Sequence, residues 1–511
     1  MLLWQLEREE ANPLPLSVKL TNDNIPYREY RYGIFRLIKI EFTRRIDVKR
    51  ITALILLIMI LALSATSCGS GESIAEVTTV DNSVAETAAA ESTQADPFAG
   101  LPENDYEGYE FRMQTRNFER WIKDVYVDSE TGEIVDDAIY RRNQVISEKF
   151  NIVFKHSVSS NDNLDYDAKN SILAGEDAYD IIVNHPRAAF VYANEMLLLD
   201  WEKDLPYLNL DNPWWDSDAR ESLSINHKLF VMYGDISYQT LGASNVMLFN
   251  KALFKNYGID APYKQVIDGT WTFDAFEKIV KQGASDLDGD GVMNTDKDQY
   301  GYVTQYWVGP IEALYVAGQR VLSKDENDLP YISLNNETTI KTFEWYFGLI
   351  DGEDCYCQTT GNSWDGGFIS VFSEGRSMFI DVNMADVPTM REMDADFGII
   401  PWPKLNESAE YCTNVDAGTN TYIVPITNVH NELTSIIMEA MAAIGYYDVV
   451  PTYYKIALQT KFSRDEDSAD MLDIIKAARV FDLGYYNSQM TGTLGNHFAA
   501  LAGSTNRDFA A

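Results

Sequence analysis

Residues 51–67, "ITALILLIMILALSATS", carry no charge and end at Cys68, after which the chain passes at once into "GSGES". This run constrains the rest most, because it decides on which side of a membrane the remainder folds. Its seventeen residues sit at the short limit for a span, which takes roughly 20 apolar residues to cross about 30 Å of hydrocarbon. Arg44, Arg45, Lys49 and Arg50 precede it, and Ser64, Ala65, Thr66 and Ser67 close it. A basic region, a short apolar region and a small-residue exit are the parts of a secretory signal, and predict export. The first fifty residues fit neither a normal basic region nor a domain, being too few to bury a core. A start at Val48 would give a compact signal, "VKRITALILL", which the measured N-terminus would decide. Residues 1–67 are set apart as extension plus signal peptide.

The small residues followed directly by cysteine resemble the bacterial lipoprotein box. That resemblance implies lipid attachment at Cys68 and a membrane anchor on the extracellular face. One position departs: three residues before the cysteine the box usually has Leu, and Ala65 stands there. A retained signal-anchor helix and a buried helix are the alternatives. Residues 68–104 read as a tether, with Ser, Thr, Ala and Glu and no aromatic until Phe98. Such a segment lacks the apolar surface to offset its ordering entropy. Some thirty residues of flexible coil reach roughly 30 Å.

Of 41 basic and 78 acidic residues, 10 and 7 precede Cys68, which leaves 31 and 71 and a net charge of −40. This argues against nucleic acid, whose binding rests on Lys and Arg, and against lying flat on an anionic membrane. Strong net charge also simply keeps an exported protein soluble. Cys355, Cys357 and Cys412 remain after Cys68. Cys412 could pair with either of the others, but three cysteines build no disulfide framework.

The roughly 410 residues from Leu101 suffice for two or three lobes. Strands and helices alternate along them. "YEFRMQTR" (109–116), "NIVFKHSV" (151–158), "AYDIIVNHP" (178–186) and "KLFVMYGDIS" (228–237) read as strands, and "IVDDAIYRRNQVISEKF" (134–150) as an amphipathic helix. "SNVMLFNKALFKNYG" passes from strand to helix and closes on Gly258. "WTFDAFEKIVKQG" starts a helix at Thr272, with Asp274 in its first turn. Such alternation predicts α/β sheets, mostly parallel, with ligands at the strands' carboxyl ends.

The stretch 178–237, then "MLFNKALFKNYGIDAPY", "GTWTFDAFEKIVK", "DADFGIIPWPKLNE" and "MLDIIKAARVFDLG", resembles in order the lipid-anchored extracellular solute-binding proteins of ATP-driven carbohydrate importers. The resemblance covers roughly residues 105–490. It implies a two-lobed periplasmic-binding-protein-like fold, lobe one from 105–241 and 416–454, lobe two from 245–412 and 455–511. The chain would cross at 241–244, at 416–422 and near Tyr454, and the crossings would act as hinges. It further implies a carbohydrate, most readily an oligosaccharide, held in the cleft by a monomer and passed to permease subunits of an ABC transporter. The family usually continues past the stretch resembling "STNRDFAA" into a charged helix.

An enzyme is the competing class. Among histidines 156, 185, 227, 430 and 497 none forms an HExxH pair, and no GxSxG or phosphate loop occurs. A carboxylate pair for glycoside hydrolysis could hide in so acidic a chain, so a secreted hydrolase stays open. A surface adhesin and a binder of peptides or other non-sugar solutes stay open too.

"DLDGDGVMNTDKDQYG" (286–301) begins as an EF-hand-like loop does and resembles a shorter loop common in the family. Asp286, Asp288 and Asp290 stand at positions 1, 3 and 5, with Gly291 at the sharp turn. The Val292 carbonyl and Asn294 would follow. Lys297 stands where the bidentate Glu belongs, so Asp296 or Asp298 would substitute. A structural Ca2+ is the expectation, an acidic turn the bland reading. For the cleft, sugar C–H faces pack on aromatic rings while hydroxyls need polar partners. Tyr306, Trp307 and Trp364 are the candidate wall. Arg116, His185 and Asp235 come from strand ends, and Asp416 and Asn420 from the second crossing. Trp214 and Trp215 read as packing within a lobe, and most other aromatics as core.

Overall fold

The computed structural model describes residues 96–160, 167–359, 367–459, 467–504 and 507. The signal segment, Cys68, the tether up to residue 95 and Trp364 lie outside the described residues.

β1 (Tyr109–Thr115) runs parallel to β2 (Ile152–Val158) on one side and to β3 (Ile181–Asn184) on the other. The helix Ile134–Phe150 between β1 and β2 buries Ala138, Ile139, Ile146 and Phe150, one stripe at helical spacing. It stops at Asn151, whose φ of 50° is the left-handed cap that ends the turn.

β4 (Asn245–Asn250) opens a second sheet, with β5 (Tyr300–Gln305), β8 (Cys355–Gln358), β9 (Ser377–Asn383) and β10 (Phe397–Ile400). Its order is β10-β4-β9-β5-β8. β4, β5, β9 and β10 are buried along their whole length, as strands covered on both faces are. Trp271, Phe276, Phe379 and Trp402 form the centre of this lobe, with Phe276 and Phe379 ring centroids 5.1 Å apart. Burying each such side chain contributes about 1.5–3 kcal/mol. The helix Phe273–Gly283 covers the sheet, and the Thr272 hydroxyl accepts from Ala275 N to start it. A small hairpin, β6 (Leu322–Lys324) with β7 (Pro330–Ile332), projects from the lobe.

The two sheets are joined where β11 (Thr413–Asn414) precedes β12 (Thr421–Ile423). β12 closes the first sheet, order β12-β3-β1-β2, and pairs antiparallel with β3. Both strands reached by crossing between lobes, β4 and β12, enter antiparallel to an inner neighbour. The crossings lie side by side: Ser244 and Val415 form a bridge, and Asp416 N donates to Ala243 O at 2.9 Å. β13 (Arg479–Val480) lies parallel to β11. Lobe one is backed by the helix Asn431–Ile444, which is long and apolar but buried in the core. The chain thus has the two-lobed α/β architecture that the resemblance implies, though each sheet is mixed, not wholly parallel.

One expected strand is absent. Residues 228–234 join their neighbours through single bridges, Ile225 with Lys228, Met232 with Tyr422 and Trp215 with Gly234, and 235–236 turn. β12 is three residues long, so there is no ladder for this apolar segment to extend.

Candidate functional site

The carboxyl ends of β1 and β3 meet the second crossing. Arg116 continues β1, its N donating to Val183 O at 3.2 Å. Its guanidinium carbon stands 4.3 Å from the centroid of the Trp121 ring, and its Nη2 donates to the Gly418 carbonyl. His185 follows β3 and caps the helix Pro186–Asn194, its Nδ1 accepting from Arg187 N at 3.1 Å. With Nδ1 accepting, the neutral ring carries its proton on Nε2. Burial, then the charges of Arg116 and Arg187, hold its pKa well below the ordinary imidazole range.

Asp416 lies on the crossing itself. Its carboxylate accepts from Gly418 N at 2.6 Å and from Tyr485 OH at 3.1 Å. Burial pushes its pKa up, while those two hydrogen bonds and then Arg187 and Arg116 oppose the rise. Tyr486 OH donates to Val415 O at 2.6 Å, so two adjacent tyrosines of lobe two hold the second crossing.

Trp307 follows β5, its N donating to Gln305 Oε1 at 2.7 Å. Its ring meets Arg187 of lobe one, the guanidinium carbon 5.6 Å from the centroid. Arg187 Nη2 donates to Asn496 Oδ1 at 2.9 Å. Further links cross between the lobes. Arg120 Nη2 pairs with Asp386 Oδ1 at 2.9 Å, and the amides of Asn194 and Asn487 bond each other at 3.0 Å.

Arg116, His185, Trp307 and Asp416 are thus brought together. The other sequence candidates are placed differently. Asp235 is buried and faces Lys476 at 3.7 Å, beside Gly445, where any Cβ would meet the Asp235 carbonyl at 1.9 Å. Asn420 is buried and donates to Trp121 O and Asp124 Oδ2, both at 2.9 Å, bracing lobe one. Tyr306 stacks edge-on to Trp307 and lies near Gly503. Trp214 and Trp215 both donate to Glu439 within lobe one. Sequence reasoning missed Arg120, Arg187, Asp386, Tyr485 and Asn496. Arg187 alone had a signal: it is the second residue of a helix that starts two residues past a strand end.

The acidic loop stands apart. The carboxylates of Asp286, Asp288 and Asp290 lie within 4.8 Å of one another. Asp286 accepts from Gly289 N and Gly291 N at 2.7 and 2.8 Å, and Asp290 from Val292 N at 2.8 Å. The Asn294 side chain accepts from Asp296 N. Asp298 is buried and spends its oxygens on Leu287 N and Asn294 N, both at 2.8 Å, so it braces the loop backbone. Lys297 Nζ lies 2.8 Å from Asp288 Oδ2 and draws that carboxyl below its usual range. Three carboxylates therefore fit a hard cation, which would compete with Lys297 for the middle one. Cys355, Cys357 and Cys412 are free thiols. Burial pushes the Cys357 thiol up to about 12, so it is protonated and unreactive at neutral pH.

No family model matches the sequence, and no curated protein matches it. Solved structures do. The chain is similar to CpMnBP1 with mannotriose bound, at 16% identity, covering 78% of this chain and 97% of that one, TM-score 0.48. It is similar to a cyclo/maltodextrin-binding protein complexed with maltotetraose, at 12% identity, 78% and 98% coverage, TM-score 0.49. It is similar also to the maltose/maltodextrin-binding domain MalE from Bdellovibrio bacteriovorus bound to maltotriose, at 14% identity, 77% and 97% coverage, TM-score 0.44. At such identities and TM-scores no ligand or residue role passes to this chain. Its fold class rests on the two sheets and the crossings between them.

Proposed function

We propose that the protein captures a carbohydrate between its lobes and presents it to the permease of an ABC transporter, without chemical turnover. One observation carries this reading: the strand-end residues Arg116 and His185, the crossing residue Asp416 and the lobe-two ring of Trp307 belong to one cluster spanning both lobes. A ligand shifts open and closed states only if it binds them differently, and contact with both lobes supplies that difference. The cluster offers an apolar ring and a few fixed polar groups, the mix a sugar needs. His185, kept neutral, can donate from Nε2 to a hydroxyl.

The test is a thermal-shift screen against mono- and oligosaccharides with solution scattering on the hits. A ligand at a hundredfold excess over Kd stabilises by about 2.7 kcal/mol. A hit that also lowers the radius of gyration supports capture by closure. Release of a labelled glycan fragment would instead favour a hydrolase.

The same reading makes the protein an exported lipoprotein, anchored through Cys68 at the extracellular face, and assigns the acidic loop a structural Ca2+ held by Asp286, Asp288 and Asp290. The basic–apolar–small pattern before Cys68 supports the first, and the clustered carboxylates support the second. Cys68→Ala should abolish metabolic palmitate labelling; unchanged labelling would remove the anchor from the proposal.

A further inference from the structure

Three arginines, Arg116, Arg120 and Arg187, gather between the lobes of an acidic protein. The chain carries a net charge of −37, and two buried carboxyl groups, Asp386 and Asp416, accompany these arginines. Asp386 is held by Arg120 at 2.9 Å. Asp416 lies within electrostatic reach of Arg187 and Arg116, its oxygens already accepting from Gly418 N and Tyr485 OH. His185 adds a donor but no charge.

Arg187 is the arginine whose charge has no carboxylate against it. Its two contacts are neutral, the Asn496 amide and the Trp307 ring. Among the described residues no carboxylate lies within ion-pair distance of it. Its Nε is buried and makes no hydrogen bond. Leaving a guanidinium N–H buried without a partner costs on the order of 1–3 kcal/mol, an arrangement that suits a site awaiting an acceptor. The free Nε–H and the second Nη2–H form one side of the guanidinium fork, whose planar pair of donors matches a carboxylate. The acidic surface does not cancel this, since exposed charges beyond about 8 Å are largely screened at physiological salt.

We propose that the solute is an acidic sugar, a hexuronate-containing oligosaccharide whose carboxylate is received by Arg187 while a pyranose face packs on Trp307. This rests on the cleft reading above and narrows it.

The experiment compares an oligogalacturonide trimer and an oligomannuronide trimer with the same trimers after reduction of their carboxyl groups, and with a sulfated disaccharide, by calorimetry. At least one uronate trimer should bind, and its reduced form should bind about tenfold or more weaker, because a charge-assisted pair is lost. Arg187→Gln should weaken the uronate by a similar factor and leave the reduced trimer nearly unchanged. Arg187→Lys, which keeps the charge without the fork, should fall between, and uronate affinity should drop with added salt. Melting of each ligand-free variant shows whether it is folded. Equal binding of acidic and reduced trimers, or equal weakening of both by Arg187→Gln, overturns the inference and leaves carbohydrate capture standing. Binding of the sulfated sugar alone also overturns it, in favour of a sulfate ester. If no saccharide binds, charged or neutral, the cleft reading falls with it.

Discussion

The buried Glu312 carboxylate accepts the backbone N–H of Asn414, its oxygens at 3.0 and 3.2 Å, and so ties a lobe-two helix to the second crossing. It also accepts from Asn245 Nδ2, at the start of β4, at 3.3 Å. One side chain therefore touches both crossings. Burial pushes its pKa up to about 8; the Asn414 and Asn245 hydrogen bonds pull it back, nearby Asp381 raises it, and Arg320 lowers it. Asp381, buried in β9, is raised to about 7, also by burial.

A pH dependence follows from those two groups. Each binds a proton in the folded protein at pH values where the unfolded chain has lost it. The stability they contribute is fully present at low pH and declines as pH rises, through about 7 for Asp381 and about 8 for Glu312. Their contribution should lower Tm between pH 5 and pH 9. Glu312→Gln keeps an acceptor for Asn414 N, so it should flatten that slope with little loss at pH 6. Glu312→Leu strands the Asn414 N–H and should cost roughly 1–3 kcal/mol at all pH values. Denaturant melts of the three proteins across this range decide it; an unchanged slope in Glu312→Gln would assign the effect elsewhere.

Arg120 and Asp386 join the lobes outside the sheets. Because the Arg120 side chain is 35% exposed, solvent screens the pair, and its coupling should be only about 0.5–1 kcal/mol in a double-mutant cycle. Asp386→Asn should nonetheless enlarge the ligand-free radius of gyration, since the bond exists only with the lobes together. Scattering identical to the native protein would show that the pair does not bias opening.

Trp307 supplies apolar surface on the lobe-two side and is only half-buried, so its loss should spare the fold. Trp307→Ala should weaken binding of any sugar found in the screen by roughly 1–3 kcal/mol, the worth of a buried apolar side chain. Calorimetry at matched Tm separates this from unfolding. Native affinity in the variant would place the ligand elsewhere.

The acidic loop predicts a metal-dependent Tm. A cation bound only to the folded state stabilises it, so chelation should lower the melting temperature of the native protein but not of Asp288→Ala. Lys297→Glu removes the ammonium beside Asp288 and restores a carboxylate at the twelfth position, and should tighten Ca2+ binding measured by calorimetry. Absence of Ca2+ by elemental analysis, with a chelator-insensitive melt, would leave an acidic turn.

Local pattern determined much of this protein. The helix Ile134–Phe150 and the Thr272-capped helix were legible because an apolar stripe at helical spacing and a capping hydroxyl act within a few residues. Arg116, His185 and Asp416 were reachable because strand ends and crossings follow from the order of elements. The rest depended on contacts between distant segments. Residues 228–237 have a strand's composition, but a strand needs a partner, and β12 is too short to give one. Asp235 and Asn420, read as ligand contacts, stand beside Lys476 and Asp124, which no local pattern foretold. Arg187 pairs with Asn496 across 309 positions, and Arg120 with Asp386 across 266. No spacing rule encodes such pairs: a charge's role depends on which opposite charge the fold brings within a few ångströms, and that is settled only when the lobes pack.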